Sequence, residues 1–358
     1  DKLRVAYAGK HVFLFLVRGP IYLMCVSSTG EPISHITQQL NLLHSLIISH
    51  LSIRVHTILT HRPNSDIRDD LNGTESIFAG MINWMNNDFM MPLKAYRSLR
   101  LSKQIRNNIG HIIHSARSPN MLYALLATGH NLIQLIRPKK QILQPADFHI
   151  LTNFVNSRPG TKVSDNWIPI CLPRYDETAM LHVYVSFLDD NTWLALIATK
   201  PEIFYEFLNS KQKIQDSFVA RGMLQAIQAA VETTDISLSE LNLQGDIIHF
   251  LYKALQTNQI TTSKLEKPYH TPEERKRLFR AYQKIQAKAN RNPKSPQKIL
   301  WSKTATETMI VWSTSGFQLF ATFGMMESLS NIISLCNKIL LFIKEQENDI
   351  FLLDSPVF

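Results

Sequence analysis

The chain has 358 residues, 45% of them hydrophobic and 19% charged, with a formal net charge of +9. That composition excludes a mostly disordered chain, and the length suggests two or three domains whose cores need no covalent staples. The three cysteines, Cys25, Cys171 and Cys336, are too scattered for a disulfide framework and read as buried thiols of a reducing compartment. No apolar run approaches the ~20 residues that span a bilayer. The first residue is Asp1, with neither initiator Met nor signal peptide, as expected of a fragment or a trimmed chain.

Three places along the chain repeat one plan: three β-like runs with short turns, then a long amphipathic helix. The first has runs at 3–8, 12–17 and 21–27 and a helix at about 34–59. Residues 62–118 are expected to be helical, with Ile77, Met81 and Met85 on one apolar stripe and Ile105, Ile109 and Ile112 on another. Such stripes are core packing, and Met90 and Met91 suit gap filling. The second group has runs at 167–172, 181–187 and 193–199 and a helix at about 202–231. The third has runs at 298–301, 307–313 and 317–323 and a helix at about 328–347.

The second and third groups carry a preface. Runs 121–127 and 132–136 form a hairpin across Thr128-Gly129-His130-Asn131, and a helix at about 145–156 puts Phe148, Leu151 and Val155 on one face. Likewise 247–254 and a weaker partner near 260–263 precede a basic helix. Each full unit is therefore two strands, a helix, three strands and a helix, an α+β arrangement with a five-stranded antiparallel sheet. The first group shows only the second half. Its strands at 12–17 and 21–26 are apolar on both faces, so the sheet needs a second cover, from the missing half or from another protein.

Between Lys267 and Lys298 stand ten Lys and Arg residues and two acids, nearly the whole charge excess. Thr271 is placed to cap this helix, Pro272 suits its first turn, and Glu274 completes a capping box. Leu278, Tyr282, Ile285 and Ala289 form an apolar face bordered by a row at spacing four, Lys276, Arg280, Lys284 and Lys288. A solvated helix face is one reading of the row. The other is a local basic field for an acidic partner, above all anionic lipid or an acidic protein face. Nucleic acid is disfavoured, because no recognised binding pattern or aromatic stacking platform accompanies the charge.

Bond-making chemistry leaves no signature. The twelve glycines are isolated, without a phosphate-cradling loop. His111 and His114 sit at HxxH spacing with no further metal ligand nearby. Asp189-Asp190 reads as a turn, and neither it nor Asp69-Asp70 has an acid or base at a defined offset. The chain is expected to be no enzyme in the bond-making sense and to need no metal or cofactor.

The run Gly19-Pro20-Ile21-Tyr22-Leu23-Met24-Cys25-Val26-Ser27-Ser28-Thr29-Gly30-Glu31 resembles the signature segment of the SAND/Mon family of vacuolar fusion proteins. Similar stretches are Leu122-Tyr123-Ala124-Leu125-Leu126, Trp167-Ile168-Pro169-Ile170-Cys171-Leu172-Pro173 and His249-Phe250-Leu251-Tyr252-Lys253. The opening Pro268-Tyr269 with Glu273-Glu274, and the closing Ile343-Lys344-Glu345 to Leu352, also look similar, so the likeness runs along nearly the whole chain.

The resemblance implies three longin domains, at 1–118, 119–243 and 244–358, the first truncated at its N-terminus and followed by a helical extension. It implies an obligate heterodimer with a CCZ-type longin subunit. The pair would be a guanine nucleotide exchange factor for the late-endosomal and vacuolar Rab GTPase. It would be cytoplasmic and peripheral on endosomal and vacuolar or lysosomal membranes, recruited by phosphoinositide and an early-endosomal Rab. The family's polar N-terminal extension and the first hairpin and helix of domain one have no counterpart here. The regional expectation for partner binding is Phe13, Phe15 and Tyr22 with their neighbours, against ordinary sheet core. The anionic-membrane patch is the row Lys276, Arg280, Lys284 and Lys288. A longin scaffold or tether that binds a Rab or coat without exchange is the alternative, and an unrecognised hydrolase or transferase would need a deep polar pocket.

Overall fold

The computed structural model describes residues 3–62, 64–243, 245–290 and 297–357. It divides into two compact units, one of residues 1–86, 104–228 and 354–358 and the other of residues 87–103 and 229–353.

The first unit opens with an antiparallel three-stranded sheet, β1 (Val5–Ala8), β2 (His11–Arg18) and β3 (Ile21–Ser27), in that order. Its β2–β3 turn requires Gly19: φ is +56°, and a Cβ there would lie 2.9 Å from the His56 ring. On one face, α1 (Ile33–Leu51) closes Ile36 and Leu40 onto Leu14, Leu16, Leu23 and Cys25. Cys25 is only partly buried, because it faces the rim of this small core, whereas Cys171 and Cys336 are buried. The helix expected to reach residue 59 breaks at Ser52, where φ turns to 55°, and α2 (Arg54–His61) leaves at 89° to α1. Further along, α3 (Glu75–Asn87) and α5 (Lys103–Ser115) bury Ile77, Met81, Met85, Ile109 and Ile112, as the stripes predict.

The second sheet of this unit holds β5 (Met121–Thr128), β6 (Asn131–Ile136), β7 (Asn166–Ile170), β8 (Leu181–Phe187) and β9 (Thr192–Ala198). Its order is β6-β5-β9-β8-β7, antiparallel throughout. α6 (Pro145–Ser157) covers the face that carries Tyr123, with Asp147 close enough to act on its hydroxyl. The opposite face is covered by α7 (Phe204–Ala220), whose Phe204 and Phe207 meet Trp167 edge-on. The single helix expected at 202–231 is divided at Gly222 (φ 64°), and α8 (Met223–Glu232) follows. With a helix on each face, β9 is buried at all seven positions.

The second unit contains α4 (Met90–Leu93), β4 (Tyr96–Ser98), β10 (Ile247–Ala254), β11 (Gln259–Thr262), β12 (Ile299–Lys303), β13 (Glu307–Ser313) and β14 (Phe317–Gly324). The strand order is β12-β13-β14-β10-β11-β4. The first five pair antiparallel, as expected, but the sheet does not stop there. β4 adds a sixth strand parallel to β11, inside a segment whose sequence reads as wholly helical. α9 (Pro272–Ala289) lies on one face, where Tyr282 reaches Thr322 and Phe320. On the other face α10 (Leu329–Glu345), followed by α11 (Glu347–Ile350), packs Leu335, Cys336 and Ile339 onto Ile310, Leu319, Ala321 and Phe323. Among the described residues no single helix is long and apolar enough to cross a membrane.

Candidate interaction surfaces of the first and third domains

In β2 and β3 the side chains alternate between two faces. Leu14, Ile21, Leu23 and Cys25 turn toward α1, which leaves the other set turned away from it. The register pairs Phe13 with Val26, Phe15 with Met24 and Val17 with Tyr22. Tyr22, Met24 and Val26 are 72%, 59% and 48% exposed, while Phe13 and Phe15 are half-buried. The structure thus brings Phe13, Phe15 and Tyr22 onto one apolar face, joined by Val17, Met24 and Val26. Alternation in the run Tyr22-x-Met24-x-Val26 is the signal that would have named the last two directly. Along its far edge β3 has no strand partner among the described residues. A free edge beside an uncovered apolar face is a ready surface for polypeptide.

The basic helix is capped as expected at one end of its first turn: the Thr271 side chain accepts from the Glu274 N–H at 3.3 Å, and Pro272 follows. The reciprocal half of the capping box does not form. Glu274 instead accepts from Arg277 Nε at 2.7 Å, because a charged donor one turn on outcompetes a neutral N–H. Leu278, Tyr282, Ile285 and Ala289 are buried, and Lys276, Lys284 and Lys288 are exposed, with Arg280 partly so. No ion pair engages these four cations among the described residues. Of the remaining charge run, Arg291 and Lys294 lie outside the described residues.

Arg277, one position beyond Lys276, turns inward. Its Nη1 lies 2.7 Å from Oε1 of the buried Glu307, which also accepts the Tyr269 hydroxyl, and its guanidinium sits 5.2 Å from the Tyr269 ring centre. Burial opposes its charge, but hydrogen bonds to Glu274 and Glu307 outweigh that and hold its pKa above the ordinary value. Deeper, His249 Nδ1 meets the Tyr282 hydroxyl at 2.9 Å and its Nε2 meets Thr262 at 3.0 Å. Burial, assisted by the Arg97 charge, lowers this imidazole to about 3, so it stays neutral. The sequence reading missed this polar seam, since His and Thr on a strand carry no periodic mark. His111 and His114 are exposed on α5, and no cluster of three or more metal-ligating side chains exists among the described residues.

Residues 1–80, 119–216 and 246–347 match, in that order, the first, second and third longin domains of FUZ, MON1 and HPS1. The chain is 29% identical over 381 residues to the vacuolar fusion protein MON1 homolog of Oryza sativa subsp. japonica, covering 98% of this chain and 67% of that protein. It is 29% identical over 363 residues to vacuolar fusion protein MON1 of Cryptococcus neoformans, covering 100% and 58%. To MON1 homolog A of Gallus gallus it is 28% identical over 361 residues, covering 100% and 65%. The chain thus spans about three-fifths to two-thirds of the length of these relatives. Fold and matches together define a protein of three tandem longin domains. Within that class, the chain belongs to the SAND/Mon family.

Proposed function

We propose that this chain is one subunit of a heterodimeric guanine nucleotide exchange factor for the late-endosomal and vacuolar Rab GTPase. It acts in endosome maturation and in vacuole or lysosome fusion, with a CCZ-type longin protein as the other subunit. One observation carries the reading: the first, second and third longin domains of FUZ, MON1 and HPS1 follow in order on a chain that aligns from end to end with relatives named vacuolar fusion proteins.

Exchange makes no covalent bond. The factor binds the nucleotide-free GTPase more tightly than the loaded one, and this difference lowers the barrier to nucleotide release. Displaced switch segments weaken the magnesium and phosphate contacts of the nucleotide. In this reading the first domain, with its apolar sheet, is where partner and GTPase assemble. The exposed row on α9 favours recruitment to a phosphoinositide-bearing membrane alongside an early-endosomal Rab.

The test is co-purification with a CCZ-type subunit, followed by release of fluorescent nucleotide from a panel of Rab GTPases. Faster release from the late-endosomal Rab supports the proposal, and no acceleration by the intact pair overturns it. A tether without exchange activity would instead bind the GTP-loaded GTPase in preference to the empty one.

A further inference from the structure

Where the first and second domains meet, four segments enclose a cleft of about 490 Å3. α1 lines it with Asn41, His44 and Ile48, which helical spacing puts on one side. After the bend at Ser52, α2 turns His56 toward His44. The end of β2 brings Arg18, and the loop from β7 to β8 closes the cleft with Arg174 and Glu177. That loop is tied to the helices. The Ile53 N–H donates to the Glu177 carbonyl and the Cys171 N–H to the Ser49 carbonyl, both at 2.9 Å.

The half-buried His44 and His56 face each other with their Nε2 atoms 3.2 Å apart. Burial, the neighbouring His56 and the Arg18 charge lower the His44 pKa to about 4. Burial lowers His56 too, against the pull of Glu177. Both rings are therefore neutral at pH 7, and their contact holds one proton between two nitrogens. A proton on both would need a negative charge at the same point. Arg18 is held by a neutral partner, Asn41 Oδ1, 2.5 Å from its Nη2 and 3.2 Å from its Nε. Asn41 is fixed in turn by donating Nδ2–H to the Thr37 carbonyl at 2.7 Å. Neither Arg18 nor Arg174 has an ion pair among the described residues.

A phosphate monoester carries about −1.5 to −2 charges at neutral pH, and its oxygens accept strong hydrogen bonds. Two guanidinium groups match one such group. Glu177 repels a ligand with several phosphates, but favours one that sets a Lys or Arg beside a single phosphate. Ile48 and Ile53 give the cleft an apolar part, which accepts the Cβ and methyl of a side chain better than a hydroxylated ring. We infer that this cleft binds a phosphorylated threonine or serine of a protein segment with a basic residue close by. Arg18 and Arg174 pair with the phosphate. Its oxygens enter between His44 and His56 and accept from both Nε2 atoms, and Glu177 meets the neighbouring cation. Phosphorylation of the segment then switches its attachment to the joint between the first two domains. The inference does not rest on nucleotide exchange.

Calorimetric titration of the chain of residues 1–358 tests it. The probe is the end-blocked pentapeptide Ala-Arg-phosphothreonine-Ala-Arg. The comparisons are its unphosphorylated twin, inorganic phosphate, inositol hexakisphosphate and vesicles containing phosphatidylinositol 3-phosphate. The phosphopeptide should bind at least about tenfold more tightly than the twin or inorganic phosphate, and Arg18→Gln should remove about tenfold or more, as loss of a hydrogen bond to a charged group does. Glu177→Lys should weaken the phosphopeptide and strengthen the hexakisphosphate. Nitrogen NMR of the imidazoles supplies a readout that a merely structural role would not move: both Nε2 atoms should carry a proton once the phosphopeptide is bound. The inference is overturned if the twin binds equally well, or if inorganic phosphate does, which would mean an adventitious ion only. Tighter, Arg18-dependent binding of the hexakisphosphate or the vesicles also overturns it, since the ligand would then be a headgroup. So does a failure of the two ring signals to respond.

Discussion

Asp147 carries a carboxyl group into the core of the second domain. It is 1% exposed; one oxygen accepts the Arg174 N–H at 3.0 Å, and the other is buried without a protein partner. Burial raises its pKa to about 6, against the pull of the Arg174 and Tyr175 N–H groups and the Arg174 charge. The folded state therefore holds the proton more tightly than the unfolded chain does. Its contribution to stability is complete below about pH 4 and is lost as pH rises through 6, at a cost of about 3 kcal/mol by neutral pH. Asp147→Asn keeps an acceptor oxygen and removes the charge. The variant should be more stable than the parent at pH 7.5 and equal to it near pH 4, read from chemical denaturation at both values. An equal difference at the two pH values would refute the ionisation argument. Arg277 presents the converse case. Arg277→Met leaves Glu307 buried with the Tyr269 hydroxyl but no cation, and should destabilise the third domain by about 3 kcal/mol. Adding Glu307→Gln should recover much of that loss, and a double-mutant cycle showing simple additivity would rule the coupling out.

At the scale of elements, the break between α1 and α2 is made by one residue. Ser52 adopts φ 55° and ψ 173°, a region that glycine occupies freely and side chains resist. Ser52→Gly should raise stability by up to about 1 kcal/mol, despite the weak 3.3 Å contact from the Arg54 N–H to its hydroxyl. An unchanged or lower melting midpoint would show that Ser52 is not strained. The same position explains what the sequence conceals. A helix at 34–59 was legible because apolar residues recur along it, but serine carries no mark of a left-handed turn. The break at Gly222 did have a mark, and the apolar periodicity on either side masked it. β4 is three residues long, too short for alternation to register, and its strand character comes from pairing with β11. The repeated hairpin, helix and three strands could be read because each is long enough to show its period, 2 or 3.6 residues. Of the candidate surfaces, the α9 row follows directly from spacing four. The inward turn of Arg277 does not, since it depends on Glu307, distant in sequence.

On the scale of the whole molecule, nearly all the charge excess falls between Lys267 and Lys298, and α9 carries six of the ten cations of that stretch. Lys276, Arg280, Lys284 and Lys288 stand opposite the buried face of α9, without ion pairs among the described residues. Two outer partners fit such a row, an anionic leaflet and an acidic protein face, and they respond differently to charge. Against a leaflet each cation contributes independently, about 1 kcal/mol through the surface potential, so replacing all four with Glu should weaken binding to phosphoinositide-bearing liposomes by at least about a thousandfold. The parent's binding should fall steeply with added salt, since exposed charges are screened within about 8 Å at physiological ionic strength. The substitutions leave Leu278, Tyr282, Ile285, Ala289 and the Arg277 pairs in place, so the fold and nucleotide exchange in solution should persist. If the row meets the partner subunit instead, the quadruple variant will still bind liposomes but will no longer co-purify with that subunit. Sedimentation with liposomes and co-purification, run on the same preparations, therefore decide between membrane and protein as the counterpart of this surface.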